Sequence, residues 1–435
     1  MNDANLASAD HTPPLKNAIP LGLQHVLAMF AGNITVPIII AGVVGATPEE
    51  KVFLIQVALF IAGVATLIQT IGVGPLGARL PVMQGTSFGF LPVIIPLAKT
   101  FGIKAVLGGA LVCGLVQALL GLALRRIRHL FPPLVTGIIV TAIGVSLMAV
   151  GIKYAGGGVW LHDNKPELFA GPAHLFLALL VLAVTIGVNQ WCRGFLGASA
   201  VLVGIAVGYL AAIPLGLVNF GAVAEAAWFT VPAPFTYGMS FPIAAVVGMA
   251  FMALVTTIET VGDISAITMG GAGREAKDRE LSGGILADGA GTAIAAVFGA
   301  MPNTSYSQNT GIIAFTGVMS RHVVTIGALF LIAFGLCPKL GALVAAMPPA
   351  VLGGAAIVMF GVMAAAGLKL IARAELNRRS MLIIGVCLSA GIALPLVPAF
   401  TAHMQADVAV LVSSGLVPAA LLALLLNWIL PERGA

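Results

Sequence analysis

Three carboxylates sit where solvated chemistry would not place them. Glu259 and Asp263 lie in VTTIETVGDISAI, and Asp288 lies in GGILADGAGTA, each flanked by apolar residues. Glu259 and Asp263 are four apart, which puts them on one face of a helix. An ionised carboxylate at membrane depth costs a few kcal/mol or more. Such a group is suited to gaining and losing a proton, as proton-coupled transport requires. Plainer roles remain open: Asp263 as a helix cap near the cytoplasmic face, and Asp288 paired with a backbone amide. Glu259 lies deeper in its stretch and fits those roles less well. His25, beside Gln24 in LGLQHVLAMF, is the one histidine well inside an apolar stretch. It either supports a site or makes an interhelical hydrogen bond.

A second concentration of polar groups is uncharged. TSYSQNT, residues 304–310, carries a hydroxyl or amide at every position, and QGTSFGF, residues 84–90, is a smaller counterpart. QGTSFGF and the second run with its flanks, PNTSYSQNTG (302–311), are too short and too rich in Gly, Pro and hydroxyls for a helix facing lipid. Irregular backbone at that depth is tolerated only where it is buried in protein or lines a cavity.

These groups are embedded in a chain of 435 residues that is 59% hydrophobic and 9% charged, with mean hydropathy +1.07. Soluble domains carry about 25% charged residues, so the composition defines a polytopic membrane protein. Eleven apolar stretches reach the roughly 20 residues that a spanning helix needs. Three more, at about 80–98, 283–300 and 302–317, are shorter or broken, which makes fourteen. With the N-terminus inside, fifteen of the 21 Lys and Arg residues fall in inside segments and six in outside ones. That bias obeys the positive-inside rule. The net charge of +5 therefore reports orientation and gives no sign of nucleic acid. The four cysteines show no CxxC spacing and read as small core residues. GGAGREAKDRELSGG (270–284) lacks the GK[ST] of a phosphate loop, so ATP-driven pumping is not expected.

The chain also repeats itself. FPPLVTG from Phe131 and MPPAVLG from Met347 share x-Pro-Pro-x-Val-x-Gly, and Thr86-Ser87-Phe88 matches Thr304-Ser305-Tyr306 at nearly the same offset, half the chain. Seven segments per half would send the second half through the membrane in the opposite sense. Transporters with inverted repeats bind their substrates near the midplane, where discontinuous segments meet.

QNTGIIAFTG, 308–317, carries Gln308, Asn309, Gly311, Thr316 and Gly317 at every fixed position of the nucleobase–ascorbate transporter signature. LGLQHVLAMF, ETVGD (259–263), LADG (286–289) and FPPLVTG resemble the same family, and the likeness runs from about 19 to 430. It implies an all-α polytopic fold of fourteen segments in two inverted repeats, with short antiparallel strands in segments 3 and 10. A core domain would comprise 19–124 and 231–340, and a gate domain 125–230 and 341–430. Residues 1–18 and 431–435 would be cytoplasmic tails, the first disordered.

The resemblance further implies proton-coupled uptake of a nucleobase across a bacterial inner membrane by a homodimer, with no cofactor, metal or catalysis. Glu259 and Gln308 would bind the base, with Phe88, Ser87, Tyr306 and Asn309 around it. Glu259, Asp263, Asp288 and His25 would serve coupling. Gln at position 308 suits xanthine or uric acid, since an amide offers both a donor and an acceptor. Ser87 stands where xanthine-selective members often carry Asn, which brings uric acid forward. Uracil, or an anion carried by the same fold, is the alternative substrate. A channel is disfavoured by the paired broken segments, and an intramembrane hydrolase by the absence of GxGD and HExxH.

Overall fold

A computed structural model describes residues 8–127 and 132–431. The first helix, α1 (Leu15–Val44), contains Pro20 and Pro37 and ends at Gly45, whose φ of 65° closes it. Helix α2 (Pro48–Ile71) opens on a capping box in which Thr47 and Glu50 bond each other's backbone N–H. Strand β1 (Gln84–Thr86) follows, then α3 (Leu91–Ile127), which breaks at Gly102, where φ is 76° and ψ 179°. Helices α4 (Pro133–Ala155), α5 (Pro172–Trp191) and α6 (Ala200–Ala212) complete the first half.

The second half opens on α7 (Ile243–Ala272) and α8 (Asp278–Phe298). Strand β2 (Asn303–Ser305) leads into α9 (Ser307–Thr316). Then come α10 (Arg321–Gly335), α11 (Pro338–Ala345), α12 (Pro349–Ile371), α13 (Arg378–Leu396), α14 (Ala406–Ser413) and α15 (Leu416–Ile429). Among the described residues nine helices are long and apolar enough to cross a membrane, and two bent pairs raise that to eleven.

Four local expectations change. The stretch 283–300 is not broken: it belongs to α8, an uninterrupted helix of 21 residues. Its glycines permit close packing instead, since a Cβ at Gly289 would lie 2.6 Å from the Gly114 carbonyl of α3. Conversely, 320–338, one of the eleven apolar stretches long enough to span, does not run straight. α10 and α11 meet at 80°, because Pro338 has no N–H with which to continue the helix. α14 and α15 meet at 74° around Gly415, whose φ is 63°. The helix expected from 19 already begins at Leu15, and residues ahead of it dock on the chain: Arg321 bonds Asp10 (2.7 Å) and the Ala9 carbonyl (2.9 Å). Residues 1–7 and 432–435, and Phe131 of the repeat motif, lie outside the described residues.

Packing between helices uses small residues, as it must where lipid competes with side chains for apolar contact. α4 and α12 are each 23 residues long, each follows a Pro N-cap and opens on Pro, and they cross along their length. At Gly353 a Cβ would lie 1.9 Å from the Ala155 nitrogen, a contact only backbone movement could relieve. Gly353→Leu is therefore expected to abolish folded protein, read as loss of the monodisperse peak of a fluorescently tagged chain in size-exclusion chromatography. α5 and α13 lie at the periphery and are mostly uncovered, whereas α1 is mostly buried.

Candidate functional site

The two strands pair antiparallel, Gln84 with Ser305, Gly85 with Thr304 and Thr86 with Asn303. The ladder is extended by Ser87 N–H to the Pro302 carbonyl (3.2 Å) and Tyr306 N–H to the Met83 carbonyl (3.0 Å). Three residues apiece is enough to satisfy a backbone that has neither helix nor water available.

Surrounding helices fix the strands through side chains. Pro37 supplies no N–H to the Asn33 carbonyl four residues before it. The Thr86 hydroxyl donates to that carbonyl instead (2.7 Å), and the Asn33 side-chain oxygen accepts the Thr86 N–H (2.8 Å). On α2, the Thr66 hydroxyl accepts the Gln84 N–H (2.9 Å). On α8, the Thr292 hydroxyl accepts the Asn303 N–H (3.2 Å) and donates to the Asn303 carbonyl (2.9 Å). One threonine in each half thus holds the first residue of one strand.

An aromatic wall forms where the strands end. Phe88 is buried and meets Phe360 of α12 edge-on, with centroids 5.2 Å apart. The Tyr306 hydroxyl donates to the Thr86 carbonyl (2.6 Å). Gly32 of α1 lets Tyr306 approach, since a Cβ there would lie 3.0 Å from the ring.

The three carboxylates have different surroundings. Asp288 is fully buried and accepts from Gln69 (3.1 Å), Gln84 and Thr260, joining α2, β1 and α7 to α8. Asp263 is buried in the middle of α7, so it caps no helix; it accepts from Ser305 (2.8 Å) and Ser307 (2.6 Å). Among the described residues no hydrogen bond ends on Glu259. Its carboxylate reaches the space beside Gly89, where a Cβ would stand 3.5 Å from one of its oxygens and 3.3 Å from the Ser87 hydroxyl. Ser87 itself accepts the Gly89 N–H (3.1 Å).

Gln308 is exposed in the first turn of α9, next to the Ser307 that bonds Asp263. Asn309 is buried, and its amide donates to the His25 carbonyl (2.9 Å) and lies 3.0 Å from His25 Nδ1. The carbonyl contact fixes the amide as donor, so Nδ1 accepts and the ring proton is on Nε2. Protonating Nδ1 would break that bond, and the pair reads as an anchor of α9 on α1. Asn309→Ala is expected to raise KM roughly fivefold at unchanged expression, from about 1 kcal/mol of lost anchoring. Uptake kinetics normalised to protein amount check this.

The structure thus brings Glu259 to Ser87, Asp263 to the strand–helix junction, and His25 to Asn309. Reading charged residues first missed the uncharged supports: Asn33, Thr66, Gln69, Gln84, Thr260 and Thr292. Pro37 four residues after Asn33 was a legible signal. The two glutamines were visible as amides in apolar runs, although their partners were not.

Residues 16–400 match the Xan_ur_permease model, the Permease family. The chain belongs to this family, the nucleobase–ascorbate transporters, and is a transporter rather than an enzyme. It is 36% identical to the uric acid permease PucJ of Bacillus subtilis (strain 168), over 94% of this chain and 91% of that one. It is 35% identical to the uric acid transporter UacT of Escherichia coli (strain K12), over 94% and 85%. To the xanthine permease XanP of the same strain it is 34% identical, over 97% and 93%. Among solved structures, the transmembrane domain of the cyanobacterial bicarbonate transporter BicA matches in fold with a TM-score of 0.60 at 15% identity, covering 93% of this chain and 98% of that one. The murine Solute Carrier 26 family member A9 anion transporter, in the inward-facing state, gives 0.61 at 12%, covering 92% and 67%.

Proposed function

We propose that this chain carries an oxopurine, xanthine or uric acid, into the cell together with a proton by alternating access. The observation that carries the reading is the contrast among the carboxylates. Asp288 and Asp263 are committed to neighbours, whereas Glu259, beside Gly89 past the end of β1, has no hydrogen-bond partner among the described residues. Glu259 is half-buried, and a carboxylate partly withdrawn from water with no partner is costly unless a ligand or a proton meets it. In this reading the N–H groups of the base meet Glu259, Gln308 takes the other edge, and Phe88 packs on the ring. Ser87, Tyr306 and Asn309 complete or support the pocket. Asp263, Asp288 and His25 hold the elements in place, and Glu259 is the group whose protonation follows occupancy. The names of the relatives support both purines, and the small Ser87 keeps uric acid in play.

Fourteen segments in two inverted repeats suit the observed elements. α3 divides at Gly102, each bent pair makes one segment, and α6 and the β2–α9 unit supply the remaining two. The halves correspond in order: 30-residue helices at α1 and α7, a three-residue strand in each, and Pro-led 23-residue helices at α4 and α12. The strand register relates the halves at 219 (Gly85 with Thr304), one residue from the sequence match. Core residues 19–124 and 231–340 would then move against gate residues 125–230 and 341–430. The protein would be a homodimer in the inner membrane with both termini cytoplasmic. Uptake of labelled xanthine, uric acid and uracil into transport-deficient cells, with and without a protonophore, tests this. Accumulation of neither purine, or accumulation that a protonophore leaves intact, rejects it.

A further inference from the structure

A cavity of about 630 Å³ opens at the C-terminal end of α1, away from the strand crossing. Small-molecule sites usually span about 300–1,000 Å³. One side is formed by Ile38 of α1 and Lys51 of α2, the other by Tyr154 of α4, the segment 157–174 and Pro349 of α12. It therefore lies between the elements proposed to move against one another.

Its lining is apolar except at a few points. Lys51 Nζ donates one hydrogen to the Ala345 carbonyl (2.7 Å), which leaves two. His174 Nδ1 is buried with no hydrogen-bond partner among the described residues. The Trp160 side chain is 58% exposed and offers a ring face, with Lys165 Nζ 5.7 Å from the ring centroid. Gly157 and Gly158, with φ of 117° and 104°, keep this wall free of side chains. Tyr154 lines the cavity as well, its buried hydroxyl donating to the Ile38 carbonyl (3.2 Å). Gly42 makes room for it, since a Cβ there would stand 2.8 Å from that oxygen. Ile38 is six residues beyond Gly32, which touches the central wall, so the two levels are about 9 Å apart along the helix.

We propose that this cavity is a second binding site for a planar heterocycle bearing carbonyl and N–H groups, occupied on the way to the central site. The ring stacks on Trp160, where base–aromatic contact is worth about 1–3 kcal/mol. A ring carbonyl accepts from Lys51, and His174 Nδ1 pairs with an N–H or a carbonyl according to its tautomer. Taking the heterocycle as an oxopurine rests on the function proposed above. A lipid acyl chain suits the apolar walls but leaves two Lys51 hydrogens and His174 Nδ1 unmet.

Equilibrium dialysis of the full-length protein in lipid nanodiscs against labelled uric acid and xanthine tests the proposal. Wild type is expected to bind two molecules per chain and Glu259→Gln one. Trp160→Ala and His174→Ala should each weaken the remaining class about tenfold and leave the Glu259-dependent class intact. A single class that is lost in Glu259→Gln and indifferent to both cavity variants overturns the second site and spares the central one. Binding that depends on Trp160 and His174 but not on Glu259 supports the cavity and rejects the central assignment. Native mass spectrometry that finds a phospholipid released by Trp160→Ala, with no heterocycle bound there, also overturns it.

Discussion

Glu259→Gln is expected to abolish concentrative uptake while leaving the protein folded and in the membrane. The carboxylate has no hydrogen-bond partner among the described residues to lose, so the substitution should cost little stability. In the proposed site it removes a charged acceptor from the substrate, and hydrogen bonds to charged groups are worth about 1.5–3 kcal/mol. Affinity for the oxopurine should fall roughly 10- to 100-fold. Because an amide cannot take up a proton at neutral pH, residual flux should lose its response to a proton gradient. Right-side-out vesicles loaded with unlabelled base separate the two effects, since exchange can persist where accumulation fails. Normal affinity together with normal protonophore sensitivity would remove Glu259 from the site.

Asp288→Ala should act the other way, through the fold first. Three donors, on Gln69, Gln84 and Thr260, would lose their common acceptor in a fully buried position. The Thr260 hydroxyl can still donate to the Thr256 carbonyl (3.0 Å), so two amide hydrogens are orphaned at about 1–3 kcal/mol each, and a loss of at least about 2 kcal/mol is expected. That should appear as a lower apparent melting temperature in detergent and less folded protein. Asp288→Asn keeps one acceptor oxygen and should fall between alanine and wild type. An Asp288→Ala protein that is as stable as wild type but inactive would instead place the residue in coupling.

The contrast between these carboxylates shows how far the sequence could be read. The polar islands at 84–90 and 304–310 announce themselves against an apolar background, and the spacing of Glu259 and Asp263 follows from helical geometry. What Asp288 does depends on Gln69, more than two hundred residues away, and on a crossing that no local pattern encodes. The fate of 283–300 was illegible for a related reason. Glycines that read as a weakness in an isolated segment are the surface on which α3 lies. The bend at Pro338 was visible as a proline, but not as an 80° turn. His25 and Asn309 were each conspicuous, yet only their contact decides the tautomer and, with it, the supporting role.

The strand crossing also bears on how the protein is made. β1 and β2 are separated by more than two hundred residues, and each satisfies the other's backbone. Synthesis proceeds at roughly 5–20 residues per second, so β1 waits roughly ten seconds or more for its partner. During that interval it is a bare strand edge inside the membrane, where unpaired N–H and C=O groups find no water. Thr66, Asn33 and Thr86 are already present and can hold part of it. The rest must be sheltered by the insertion machinery or by lipid-excluded water until residue 305 emerges. The site therefore cannot close until the second half of the core is being made, and a ribosome stalled before β2 should leave Ser87→Cys open to a membrane-impermeant thiol reagent that the finished protein excludes.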